Sequence, residues 1–506
     1  MRIAPSFLTL VFLALWPFIS FLNNNQDDAL VYGTNVLIYA LVFVVLVALI
    51  ALIGVALAGR TRATAVMHVC GIASVLLFSY LPVSGFLSGL GISLGTVRIA
   101  IWALLSLAIL AAVWRYARNA AAARVLLAAA SVMIAMPLFG LGVFAVSGTS
   151  TDTRSSAAVA PRDEARRENV YWFVFDAYAR ADALADYFGY DNSRFVAELE
   201  SRGFDVAENV LANYASTKLS ISTTADMDYF LPEGAPLHPS MWTARLQGFN
   251  RVVETFKALG YRYVHAEPGG NNLKTRCGGN EDLCVTAPTG GTIGVSEAEV
   301  GLLQLTPLFP IIRRLLPDLL SFDFTNIEDV MARFSPASEK PTFLFAHILS
   351  PHPPQRFDAR CGHLDAVEFD LAGEDYSKLV DAYLNDLTCL NAEIIAMVDR
   401  IVTEDPGNPF VILQSDHGFR GAPALVPRRT VPRVPPALLS YANLHAMRAP
   451  ESCDTRSSED FSPVNTFRIV LSCIDGEPRE ILPARQFRTE NGVLHAFDSD
   501  VRRPQQ

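Results

Sequence analysis

Five long apolar runs within the first 147 residues constrain this chain more than any other feature. They cover about 4–22, 35–58, 65–87, 97–114 and 125–147. Each is about 18–24 residues long, enough to cross a hydrocarbon core of about 30 Å. Residues 1–150 hold seven Arg, no Lys and two acids, Asp27 and Asp28, while the remainder holds 34 basic and 49 acidic residues. This split explains how a chain that is 51% hydrophobic carries a formal net charge of −10. The first part reads as membrane helices and the second as an acidic soluble domain, a charge that argues against nucleic acid as partner.

Orientation follows from the loops. Arg60 and Arg62 separate runs two and three, and Arg115, Arg118 and Arg124 separate runs four and five. The excess of positive charge on cytoplasmic loops puts these loops and the N-terminus inside. Five crossings then deliver everything after residue 148 to the outside of a bacterial cytoplasmic membrane. The first run lacks a convincing cleavage site and precedes four more, so it reads as a span rather than a signal peptide. His68 lies in run three, where an ionisable residue serves either function or packing.

Cysteine usage agrees with export. Cys70 lies in a run, which leaves Cys277, Cys284, Cys361, Cys389, Cys453 and Cys473. Six cysteines in an exported domain predict three disulfides. Local pairing, 277–284, 361–389 and 453–473, is the one of 15 connectivities that closes short loops.

Three apolar strands in the soluble part end in chemistry. Phe410 to Gln414 is a short buried strand followed by Ser415-Asp416-His417-Gly418, then Phe419 and Arg420. In open α/β sheets ligands sit outside the carboxyl ends of strands, and Asp with His suits Zn²⁺ or Mn²⁺. Asn169-Val-Tyr-Trp-Phe-Val-Phe-Asp176 is a second strand ending in a carboxylate, with Arg180 just beyond. Pro341 to Pro354 gives a third, in which His347 and His352 flank a turn imposed by Pro351, Pro353 and Pro354. His352 suits contact with a phosphate or a leaving group; His347 suits the same role or a packed position. Asn213 to Tyr229 is rich in hydroxyls and turns into a helix. Thr217 is its candidate nucleophile, at a helix start where free N–H groups favour an anion, with Lys218 beside it to offset charge. Helix capping is the alternative reading of Asp176 and of Ser216 or Thr217.

The rest of the soluble part supplies βα-type units. Residues 192–203 read as an amphipathic helix, 245–265 as a helix followed by a strand, and 376–403 as a long amphipathic helix. Residues 268–292 read as a Gly-rich loop. Residues 423–436 form a Pro-rich loop with Arg428, Arg429 and Arg433, and 462–468 start a final helix. Residues 300–320 are apolar but hold three prolines and two arginines, which suits a surface helix near the bilayer or one covering the core. The expected layout is a membrane domain over 1–147, a linker over 148–168, a catalytic domain over 169–485 and a tail over 486–506.

Taken together, the strand ending in Asp176, the Thr217-Lys-Leu-Ser220 stretch, the His347 to His352-Pro turn and Ser415-Asp-His-Gly418 resemble the sulfatase-like branch of the alkaline phosphatase superfamily. Order and spacing match over about 170–475. Five spans followed by such a domain is also the plan of lipoteichoic acid synthases and phosphoethanolamine transferases. The resemblance implies multi-pass membrane helices followed by a doubly wound, mostly parallel α/β domain. It implies one divalent metal ion, Zn or Mn with Ca or Mg as alternatives, held by Asp176, Thr217, Asp416 and His417, with Thr217 as nucleophile. Lys218 and His352 would assist catalysis, and His347, His352, Arg180 and Arg420 would contact substrate. Two departures matter. The stretch at 216–220 lacks the Pro and Arg that accompany formylglycine, which disfavours sulfate-ester hydrolysis. Asp176 is followed by Ala177 rather than a second acid, which favours one metal. The activity implied is transfer of a phosphoethanolamine or phosphoglycerol type group from a membrane lipid donor to an envelope glycan or lipid. A phosphodiesterase or sulfatase-like hydrolase and an inactive envelope scaffold are the alternatives.

Overall fold

The computed structural model describes residues 3–92, 94–116, 119–147, 168–269, 275–287, 297–316, 324–334, 336, 340–353, 355–364, 376–420, 428, 431–453, 461–490 and 492–497. Arg118, Arg429 and all of the expected linker except Glu168 lie outside the described residues. The chain forms two units. One joins residues 1–150 to 292–321, and the other joins 151–291 to 322–506.

The first unit contains α1 (Ile3–Asn24), α2 (Gln26–Ala58), α3 (Ala63–Leu77), α4 (Tyr80–Gly89), α5 (Gly95–Tyr116) and α6 (Ala120–Ser147). Four of these, α1, α2, α5 and α6, are long and apolar enough to cross a membrane by themselves. The third apolar run is instead the pair α3 and α4, bent by 53°. Pro82, third in α4, has no N–H, and in an unbroken helix its ring would clash with the carbonyl of Phe78, where α3 stops. Large apolar side chains such as Leu41, Leu57 and Leu104 face outward on this unit, a surface suited to lipid.

The second unit is built on a seven-stranded sheet: β1 (Val170–Phe175), β2 (Asp205–Val206), β3 (Arg262–Ala266), β4 (Leu283–Val285), β5 (Thr342–Ile348), β6 (Phe410–Ser415) and β7 (His445–Arg448). Their order is β2-β7-β6-β1-β5-β3-β4, parallel throughout except for β7, which runs antiparallel to β6 and β2. Helices cover both faces, so the strands are apolar on both sides. One face carries Tyr171, Phe173 and Phe175 of β1 against α7 (Ser193–Ser201). The other carries Val170, Trp172 and Val174 against α8 (Thr217–Asp226) and α9 (Arg251–Ala258).

Between β4 and the next strand the chain returns to the first unit as α10 (Glu297–Gln304) and α11 (Leu308–Leu315). It then rejoins the sheet domain with α12 (Ile327–Arg333), α13 (Tyr376–Glu404) and α14 (Thr466–Asp475). Of these, α12 and α13 pack on the Phe173 face, whereas α14 packs with α8 and α9 on the Trp172 face. Three disulfides, Cys277–Cys284, Cys361–Cys389 and Cys453–Cys473, close the local loops. The domain continues past residue 485. The hairpin β8 (Phe487–Glu490) and β9 (Val493–Ala496) buries Phe487 and Leu494, and Phe487 stacks on Tyr214 at 5.3 Å.

Candidate metal centre

Strand register sets the site. Phe175 of β1 pairs with Ile348 of β5 on one side and with Ser415 of β6 on the other. The next residues, Asp176 and Asp416, therefore leave adjacent strands at one level. The ladder holds one step further, since the Asp176 N–H donates to the Ile348 carbonyl at 2.9 Å. Side chains alternate along a strand, so Asp176 continues the Trp172–Val174 face. His347 continues Phe343 and Phe345, whose rings lie on that same face.

Asp176, His347 and Asp416 are fully buried, and one ligand atom from each lies within 4.8 Å of the other two. His347 Nε2 is 3.7 Å from Asp176 Oδ2, while its Nδ1 is 2.7 Å from the Thr275 hydroxyl. Asp416 Oδ1 accepts from the backbone N–H of Ala177 at 3.1 Å and of His417 at 2.9 Å. Ala177 adopts a left-handed backbone, φ 66°, and this uncommon conformation for a residue with a Cβ accompanies its N–H donation to the carboxylate. Burial and the neighbouring charge of Asp176 hold the Asp416 carboxyl above its ordinary pKa. Two carboxylates side by side without water are costly unless a cation compensates them.

His417 completes the group. Its Nδ1 is 2.7 Å from the Gly418 carbonyl, which can only accept, so Nδ1 carries a hydrogen and Nε2 a lone pair. Arg420 agrees, donating to Nε2 from its Nε at 3.1 Å and its terminal nitrogen at 2.7 Å. His417 Nε2 also lies 3.4 Å from Asp176 Oδ1, 3.4 Å from Asp416 Oδ2 and 3.5 Å from the Thr217 hydroxyl. Two carboxylates and the His347 imidazole, with the His417 ring and the Thr217 hydroxyl beside them, form a donor set that fits Zn²⁺ or Mn²⁺.

Thr217 is the first residue of α8 and 1% exposed, and its hydroxyl is directed at His417 Nε2. Ser216 precedes it in extended conformation and makes no side-chain cap bond. The structure thus brings Asp176, Thr217, His347, Asp416, His417 and Arg420 together. Other expected site residues have further attachments. Arg180 is held by Asp182 at 2.8 Å and by the Val210 carbonyl. The Lys218 ammonium lies over the Trp242 ring, 6.0 Å from its centre. His352 is half-buried, with Nδ1 at 2.5 Å from the Pro353 carbonyl of its own turn.

The roles of several supporting residues escape a reading of the sequence. Ser415 accepts from the Tyr178 N–H at 2.9 Å and donates to the His417 carbonyl at 2.7 Å, which ties the two strand ends together. Gly418 is obligatory, because a Cβ there would stand 2.3 Å from the Leu439 carbonyl oxygen and 2.5 Å from that of Ala442. Behind His347 lies His265, fully buried, its pKa pushed down to about 3 by burial and by His347. The alternation Phe343, Phe345, His347 carried a signal for the face of His347, but only relative to a strand whose own orientation was known.

Residues 243–433 match the protein-family model described as Sulfatase. The matched stretch takes in His347, His352, Asp416, His417 and Arg420 and begins after Asp176 and Thr217. No curated protein matches the chain. Among solved structures, the integral membrane protein lipooligosaccharide phosphoethanolamine transferase A (EptA) from Neisseria meningitidis is similar at 13% identity and TM-score 0.42, covering 92% of this chain and 95% of that one. The C-terminal periplasmic domain of EcEptC from Escherichia coli is similar at 12% identity and TM-score 0.42, covering 68% of this chain and 97% of that one. A protein in the alkaline phosphatase superfamily from Vibrio parahaemolyticus is similar at 13% identity and TM-score 0.41, covering 69% and 81%. Apolar helices are followed here by an α/β domain of which residues 243–433 are similar to sulfatases.

Proposed function

We propose that this chain is a membrane-anchored, metal-dependent transferase. It moves a phosphoethanolamine or phosphoglycerol type group from a membrane lipid to an envelope glycan or lipid, through Thr217. The observation that carries this reading is the Thr217 hydroxyl at the start of α8, 3.5 Å from His417 Nε2, which itself lies 3.4 Å from both Asp176 and Asp416. The apolar helices of residues 1–150 support a lipid donor, since a membrane-held site meets head groups at high effective concentration. In this reading the domain faces the periplasm.

Asp176, Asp416, His417 and His347 would hold the ion, with Thr217 beside them; His347 joins the set in place of a substrate contact. A divalent ion bound there supplies Lewis acidity that favours an ionised hydroxyl and offsets charge on a phosphoryl oxygen. Asp416, whose carboxylate approaches the same His417 Nε2 as the Thr217 hydroxyl, takes the hydroxyl proton. The Thr217 Oγ then forms a bond to phosphorus while the bond from phosphorus to the lipid oxygen breaks. Protonation of the departing alkoxide falls to His352, in a turn made rigid by Pro351 and Pro353. The acceptor oxygen then bonds to the same phosphorus, its proton passing to His352, while the bond from phosphorus to Thr217 Oγ breaks and Asp416 returns the proton to that oxygen. Free N–H groups at the start of α8 favour the phosphoryl oxygens.

The test is intact mass of the full chain in lipid nanodiscs after incubation with Mn²⁺ or Zn²⁺ and phosphatidylethanolamine or phosphatidylglycerol. Wild type should gain the mass of the transferred head group, and Thr217→Ala should not. Turnover to free head group without any adduct, in both proteins, would favour direct hydrolysis instead.

A further inference from the structure

Helices α10 and α11 interrupt the sheet domain in sequence yet pack with the membrane unit. Three contacts anchor α10 and the turn after it. Glu299 is hydrogen-bonded to the Tyr39 hydroxyl. Gly301 faces the Phe21 ring so closely that a Cβ would meet it at 3.2 Å. The Leu305 carbonyl accepts from the N–H of Tyr80 at 3.1 Å and of Leu81 at 3.4 Å.

These anchor points share one depth. At about 1.5 Å per residue, Tyr39 stands about 29 Å along α2 from Ala58 and Phe21 about 27 Å along α1 from Ile3. Tyr80 stands about 25 Å from Ala63, with the bend before it. A hydrocarbon core is about 30 Å thick, so all three mark the boundary opposite the Arg60–Arg62 turn. Aromatic residues favour that level. The segment that follows α10 is thereby delivered to the interface between acyl chains and head groups.

The amphipathicity of α11 is turned outward. Leu308, Ile311 and Leu315 recur at helical spacing along one stripe, and they are 44, 43 and 71% exposed. Leu316 extends the stripe at 58%. A helix packed on a protein core buries such a stripe; this one offers it to its surroundings. Arg313 and Arg314 flank the opposite side, and α11 contains no acid. Basic side chains on the polar face of an amphipathic helix suit lipid phosphates.

We infer that α11 is a monolayer anchor, lying in the leaflet on the Asn24–Gln26 side with Leu308, Ile311, Leu315 and Leu316 among acyl chains and Arg313 and Arg314 at anionic head groups. The occupant is lipid rather than a second copy because the stripe continues the outward apolar surface of the spans at the depth where head groups begin. This inference is independent of the chemistry proposed for Thr217.

The test uses the full chain in nanodiscs of phosphatidylethanolamine with phosphatidylglycerol. Cys70, the one cysteine outside the disulfides, is replaced by Ala, and a single fluorescent label is placed at Ile311→Cys or Leu315→Cys. A label at Arg488→Cys, on the exposed surface of the other unit, serves as the aqueous reference. Labels on α11 should be quenched about threefold more by lipids with a nitroxide near the head group, and about threefold less by iodide, than the reference. Iodide access equal to the reference, without lipid quenching, would overturn the inference. So would protection from both quenchers with energy transfer between differently labelled copies, which would make the stripe a contact between chains.

Discussion

At the scale of single residues, the candidate centre is a problem of compensated charge. His347→Gln should lower metal affinity by at least about tenfold, because it removes a donor from beside two buried carboxylates. Thr275→Val, which removes the hydroxyl bonded to His347 Nδ1, should cost about tenfold through loss of ring orientation. Metal content after dialysis and competition with a chelator read both. Gly418→Ala has no room between two carbonyl oxygens and should abolish a folded site, seen as loss of metal together with protease sensitivity of the loop. His445 offers a pH prediction away from the centre. It is fully buried against Phe461 and its pKa is pushed down to about 3 by that burial. Between an unfolded value near 6.5 and about 3, the unfolded chain takes up a proton that the folded chain refuses. Its contribution to stability is therefore intact above pH 6.5 and falls by about 1.4 kcal/mol per pH unit below it. Denaturant titration between pH 4.5 and 7.5 should show His445→Gln with a slope shallower by that amount.

At the scale of elements, what could be read from the sequence depended on whether the signal was local. β1, β5 and β6 were legible as apolar runs ending in Asp176, His347 and Asp416, and the short-range disulfides were legible from cysteine spacing. The break in the third apolar run was encoded in Pro82, but hydropathy over a window averages a single proline away. Because β5 is buried on both faces, composition does not say which side His347 occupies. Arg180 shows the other limit: no sequence pattern indicates that Asp182 and the Val210 carbonyl hold its guanidinium. The Cys361–Cys389 disulfide joins the loop beyond the His352 turn to α13. Cys361→Ser with Cys389→Ser should lower stability by about 3–4 kcal/mol for a loop of this length, and it should lower turnover more than metal content if that loop positions His352. Thermal unfolding, metal analysis and rate measurements on the same preparations separate these outcomes.

At the scale of the whole molecule, the boundary between the two units is not a cut at one position in the chain. A fragment beginning at residue 151 would still carry α10 and α11, stripped of Phe21, Tyr39 and Tyr80. Such a fragment should bind liposomes or self-associate, whereas Ile311→Ser with Leu315→Ser should restore a monodisperse species; sedimentation and flotation distinguish the two. The central position of β1 has a different consequence, one of timing. Phe175 pairs with Ile348 and with Ser415, so the first strand of the sheet to be made waits about 170 residues for one neighbour and about 240 for the other. At ribosomal speed that delay is on the order of ten seconds or more. Through that interval Val-Tyr-Trp-Phe-Val-Phe is a nascent segment with both edges open, of the composition that aggregates most readily. The strand best protected in the finished protein is thus the one most in need of a chaperone while the chain is being made.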